Sequence, residues 1–141
     1  MSIRLSLDLK DPKVLSNVNA KWKFRQGYVP GEDNEGLIAQ RNDSPARKAD
    51  YDDSSWDICN DIEESKSTGF TFGWYRITVT IPQKVDGVDI EGFNLYFETC
   101  IDDYGEIWID GQCDFANGVI QGFNKPQRVR VARAAEPGKT H

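Results

Sequence analysis

No histidine lies within this chain: the one histidine among its 141 residues is His141. Ser/His and Cys/His catalytic pairs need an internal imidazole as base, so both are excluded, and a His-based metal centre goes with them. Cysteine is scarce too. Cys59, Cys100 and Cys113 form no CxxC pair and cannot all be joined within one chain, so buried free thiols are the expected state. No stretch approaches the ~20 apolar residues that span a bilayer. Residues 1–10 alternate charged and apolar positions where a signal peptide would have its apolar middle, which gives the expectation of a cytoplasmic protein. Basic residues are in the minority, 17 against 23 acidic, for a net charge of −6 and a pI near 4.8. That sign is wrong for neutralising phosphates, so neither nucleic acid nor membrane is an expected partner. Helical periodicity is also missing: no window of 11 or more residues keeps a 3.6-residue apolar repeat, and at most one short helical turn is expected, around residues 54–58.

What fills the chain is period-2 alternation. Ile3, Leu5, Leu7 and Leu9 alternate with polar residues until Asp11-Pro12, and Trp22, Phe24 and Tyr28 face away from Lys21, Lys23 and Arg25. Residues 30–48 carry glycines, prolines and mixed charge around a brief Leu37-Ile38-Ala39 patch, and read as a long surface loop. The strongest strand signal covers residues 70–81, with Tyr75, Ile77, Val79 and Ile81 on one side, Trp74 and Arg76 on the other, and Pro82 as the stop. Phe93, Leu95 and Phe97 mark another strand. Residues 104–109 run into Asp110-Gly111, the dipeptide of a type I′ turn, which predicts a hairpin returning over residues 112–115. Val129 and Val131 alternate with Arg128 and Arg130 before a Pro137-Gly138 turn. With 16 aromatics and room for one sizeable core, about eight short strands predict an all-β sandwich or barrel in a single domain over residues 1–141.

Three segments share a pattern. Ala49-Asp50-Tyr51-Asp52-Asp53-Ser54-Ser55-Trp56 resembles a "DFDDSSW" turn, Gly73-Trp74-Tyr75-Arg76 a "GWYR" strand start, and Phe97 followed by residues 102–111 an "F.GVDDYAEVWLNG" hairpin. Together, over about residues 22–138, they resemble the galactose-binding-like jelly roll that serves as the N-terminal sugar-binding domain of family 2 glycoside hydrolases and related sugar-active enzymes. The resemblance implies a jelly-roll β-sandwich without a catalytic role of its own, which binds saccharide or shapes the rim of a catalytic domain in the same or a neighbouring chain. It also implies that the chain is the N-terminal fragment of a longer protein, because the family's final long strand follows the Pro-Gly turn. The family's acidic residue in the loop after the hairpin has no counterpart in residues 117–124.

Several clusters could carry chemistry. Asp50, Asp52, Asp53, Asp57, Asp61, Glu63 and Glu64 form an acidic run whose spacing partly suits Ca²⁺, but Ser55 stands where an EF-type loop needs glycine and Asp61 where it needs glutamate. A solvated, turn-capping surface is the expected reading, and neither metal nor cofactor is expected. Glu98, Asp102, Asp103 and Glu106 could supply a glycosidase pair, with Glu98 opposite Phe97 and partly buried. Arg76 reads as a structural arginine reaching a carboxylate, and Arg128, Arg130 and Arg133 as an exposed face and its exit. Sugar sites combine aromatic faces with planar polar side chains. Tyr104, Asn117, Gln121, Phe123 and Asn124 offer that mix, with Phe115 beside them. The resemblance puts Asn117 first, since relatives place a sugar-contacting residue in that loop. Three functions follow in order: a carbohydrate-binding accessory module of a sugar-processing hydrolase, a structural or docking module for a partner domain or homodimer, and a small hydrolase using Glu98 or Asp102.

Overall fold

The computed structural model describes residues 2–26, 45–64 and 73–141. Tyr28, residues 30–44 of the expected loop and Phe70 lie outside them. Strand exceeds helix, so the chain is mostly β, as its alternation predicts. Two compact units make it up, Met1–Thr80 and Ile81–His141.

In the first unit, residues 2–9 keep the alternation without becoming a strand. Leu5, Leu7 and Leu9 are half-buried between exposed polar neighbours, yet no ladder forms. Alternation assigns faces to an extended chain; only a neighbouring backbone makes it a strand. Asp11-Pro12 then opens a helix, α1 (Pro12–Asn17), instead of ending a strand: Asp11 Oδ1 accepts from Lys13 N at 2.8 Å and Pro12 needs no donor in the first turn. The helical turn expected at residues 54–58 is a plain turn running into a strand. Strands β1 (Trp22–Gln26), β2 (Asp57–Cys59) and β3 (Gly73–Arg76) form an antiparallel sheet in the order β2-β1-β3. Of the long strand expected over residues 70–81, the described part pairs only as β3, in register Phe24↔Tyr75 and Arg25↔Trp74. Trp56 is 4% exposed and packs on Ala46, in the 3-10 turn Pro45–Arg47, with half-buried Tyr51 and Trp74 against them. Phe24 is buried beside the Tyr75 ring, centroids 4.9 Å apart.

The second unit is built from hairpins. β4 (Lys84–Val85) and β5 (Val88–Asp89) close around Asp86-Gly87, with φ of 50° and 79°. Positive φ at both turn positions is what a type I′ turn requires, and Asp-Gly tolerates it best. β6 (Leu95–Glu106) and β7 (Val119–Ala132) form a long antiparallel ribbon. Between them Asp110 and Gly111 have φ of 51° and 77°, and Ile109 and Gln112 exchange both backbone hydrogen bonds, so the expected type I′ turn is present. The expected return strand over residues 112–115 is not: β6 takes its partner from β7, because residues 114–117 curl into a turn capped by Asp114. Ile107, Ile120 and Val129 form a buried cluster under Phe97, Ile101 and Ile109. The Pro137-Gly138 turn has φ of 87° at the glycine and closes with Lys139 N donating to Glu136 O at 3.0 Å, as a type II turn does. Among the described residues there are thus seven strands in three sheets. No described helix is long and apolar enough to cross a membrane.

Candidate functional site

The acidic turn is a fastening, not a ligand cluster. Asp53 Oδ1 accepts from Lys23 Nζ at 2.8 Å and its Oδ2 from Arg76 Nε at 3.0 Å, so one carboxylate ties the turn to β1 and β3. Arg76 also donates to the carbonyls of Ala46 and Lys48, the structural role its position suggests. Burial pushes the Asp53 carboxyl up, but the hydrogen bonds and charges of Lys23 and Arg76 outweigh it and hold the group below the usual carboxylate range. Asp52 and Asp61 cap the backbone N–H groups of Ser54 and Glu63. Among the described residues no three His, Cys, Asp or Glu side chains are grouped to hold a metal ion.

The ribbon is a better candidate. Residues directly opposite in an antiparallel pair share a face. Phe97 and Val129 are such a pair and point into the Ile107–Ile120 cluster, so Tyr96↔Arg130 and Glu98↔Arg128 point outward. A bulge interrupts the ladder between Ile101 and Asp103, with φ of 68° at Asp103, 125° at Gly122 and 44° at Asn124. Beyond it a Cβ on Gly105 would come within 2.6 Å of Ile101 Cδ1, so Gly105 lies on the core side. Tyr104 and Glu106 therefore continue the outward face, with Gln121 directly opposite Tyr104.

On that face Glu106 holds two aromatic donors. Tyr104 Oη donates to Glu106 Oε1 at 2.7 Å and Trp108 Nε1 to Oε2 at 3.2 Å. Phe115 meets the Trp108 ring edge-on, at 6.0 Å and 89°. Tyr104 and Phe115 remain 37% and 45% exposed, leaving ring surface for the apolar side of a ligand. Two or more aromatic rings around a carboxylate are an arrangement that stacks C–H surface and accepts from hydroxyls.

No protein-family model, curated protein or solved structure matches the chain. The likeness to galactose-binding-like jelly rolls accordingly rests on its three motifs.

The structure joins some of the expected site residues and separates others. Tyr104 and Gln121 are cross-strand neighbours. Phe123, 79% exposed, and Asn124 sit at the bulge two and three residues further along β7. Asn117 is a turn residue: its Nδ2 donates to Asp114 Oδ2 at 2.7 Å and its carbonyl accepts from Gln127 Nε2. That side-chain amide, with the N–H groups of Ala116 and Asn117, holds the Asp114 carboxyl below its ordinary range. Glu98, expected partly buried, is exposed and pairs with Arg128 at 3.5 Å, because the Phe97 side of β6 takes the core. Of the cysteines expected buried only Cys59 is; Cys100 lies on the outward face and Cys113 is half-buried. Trp108 is not among the expected sugar-site residues, and Glu106 is expected only as a member of a glycosidase pair. Their signal is the period-2 run Tyr104, Glu106, Trp108 on one strand face and its exit.

Proposed function

We propose that the chain is a non-catalytic carbohydrate-binding module of jelly-roll β-sandwich type, an accessory to a catalytic domain of a sugar-processing hydrolase in the same or a neighbouring chain. The observation that carries this reading is the outward ribbon face, where Tyr104 and Trp108 donate to the Glu106 carboxylate, Phe115 packs edge-on against Trp108 and Gln121 stands opposite Tyr104. The Asp53–Arg76 fastening supports it as well, since it links two of the three motifs on which the resemblance depends. An open face exchanges water for sugar hydroxyls with a net gain of about 1 kcal/mol per hydrogen bond, so affinity of roughly 0.1–1 mM is expected, with ring stacking carrying much of it.

Tryptophan fluorescence tests the reading, because Trp108 stands within the face and Trp56 is buried elsewhere. Galactosides and glucosides should change the emission saturably, Trp108→Phe should remove most of the change, and Tyr104→Ala should weaken the binding. No response at tens of millimolar would favour a second reading, a docking module for a partner domain or homodimer. The nearly bare Phe123 ring is the observation on that side.

A further inference from the structure

The same outward face carries a second constellation, nearer the open end of the ribbon. The Arg128 guanidinium lies 4.7 Å from the Tyr96 ring centroid and that of Arg130 5.7 Å, so two cations flank one phenol ring. Arg128 reaches Glu98 only at 3.5 Å, and Arg130 reaches the Tyr96 hydroxyl at the same 3.5 Å. A guanidinium has five N–H donors in a fixed fork, so most of the donor capacity of this pair is not spent on these two long contacts. Cation–π attraction to Tyr96 favours these side-chain positions and reduces the entropy a ligand must remove. Arg130 draws the Tyr96 hydroxyl below its usual range by hydrogen bond and charge, evidence of local positive potential in a chain whose net charge is −6. A hollow of about 440 Å³ opens beside them, lined by Glu98, Thr99, Cys100, Pro126, Gln127 and Arg128. Thr99 and Gln127 are the pair on the other side of the ribbon, where the Gln127 amide is held by the Asn117 carbonyl, so the arginines are the donors this end of the outward face offers.

We infer that Arg128 and Arg130, splayed against Tyr96, bind the carboxylate of an acidic saccharide, a uronic or aldonic acid unit. The inference builds on the saccharide reading of Tyr104 and Glu106 and specifies the ligand class. A planar carboxylate matches the guanidinium fork, and the ring of Tyr96 and the hollow beside it receive the carbon skeleton. The carboxylate displaces Glu98 from its weak contact. Neutral sugars gain nothing at this end of the face.

The test uses the ¹⁵N-labelled chain, read at the arginine Nε–H signals and at the amides of residues 96–98 and 126–130, during titration with galacturonate, gluconate, galactose and acetate. Galacturonate or gluconate should move these signals saturably, galactose and acetate should not, and Arg128→Gln with Arg130→Gln should weaken acidic-sugar binding by about tenfold or more while leaving galactose binding unchanged. Arg128→Lys with Arg130→Lys keeps the charge and loses the fork; it should lose most of the same affinity, which separates recognition from simple attraction. Equal response to acidic and neutral sugars, or no effect of the arginine variants, overturns the inference and leaves the saccharide reading standing. An equal response to acetate overturns it as a general anion effect. Silence toward every sugar overturns both.

Discussion

Replacing Asp53 with asparagine should cost about 2–3 kcal/mol near neutral pH. Two charge-assisted hydrogen bonds are at stake, each worth about 1.5–3 kcal/mol when well made. The side chains of Asp53, Lys23 and Arg76 are 22%, 26% and 15% exposed, which puts them between a surface pair of at most ~1 kcal/mol and a broken buried pair of ~3–5 kcal/mol. Arg76 keeps the carbonyls of Ala46 and Lys48, and the new amide keeps one acceptor oxygen, so the upper figure is out of reach. The cost should also depend on pH with a definite sign. The folded carboxyl titrates below its unfolded value of about 3.9, so the stabilisation is complete above that value and disappears as pH falls through the lowered folded one. Urea melts of wild type and Asp53→Asn at neutral pH and near pH 2 measure both effects. A cost under about 0.5 kcal/mol at neutral pH, or an equal cost at both, would refute the reasoning.

Trp56→Ala should destabilise by about 3–5 kcal/mol and Trp74→Ala by less, since Trp56 is 4% exposed and Trp74 only half-buried; denaturant melts giving the reverse order would remove Trp56 as the anchor. Gly118→Ala would bring a Cβ to 2.8 Å from the Asp114 carbonyl oxygen, a backbone atom, and should cost about 1–3 kcal/mol, whereas Gly105→Ala meets the movable tip of Ile101 and should cost less in the same thermal melts. Asn117→Ala removes the amide that holds Asp114 down and should raise the Asp114 titration midpoint in a carboxyl-detected NMR pH series; an unchanged midpoint would contradict the turn assignment.

Local turn chemistry was the most legible layer. Asp110-Gly111 announces its turn because apolar alternation flanks it, while the same dipeptide at residues 86–87 joins strands of two residues each, too short to show a period. The helix at residues 12–17 had a signal in its Asp-Pro start, but six residues cannot display a 3.6-residue repeat. Leu5, Leu7 and Leu9 reveal how alternation misleads: it reports which side is wet, and pairing depends on distant backbone that no local pattern encodes. The site was half legible for a related reason. Tyr104 and Gln121 are 17 positions apart and were both expected, yet that they are partners is set by the register across the bulge at Asp103. Asn117 ranks first as a ligand residue through the family resemblance of its loop, and Asp114 three residues earlier is what claims its side-chain amide.

Chemical-shift mapping of the ¹⁵N-labelled chain with a neutral galactoside or glucoside tests the central claim most directly. The account predicts saturable shifts confined to Tyr104, Glu106, the Trp108 indole N–H, Phe115 and Gln121, strongly reduced in Tyr104→Ala with an unchanged melting temperature. Shifts located instead at residues 50–64, or none with any saccharide at tens of millimolar, would contradict it.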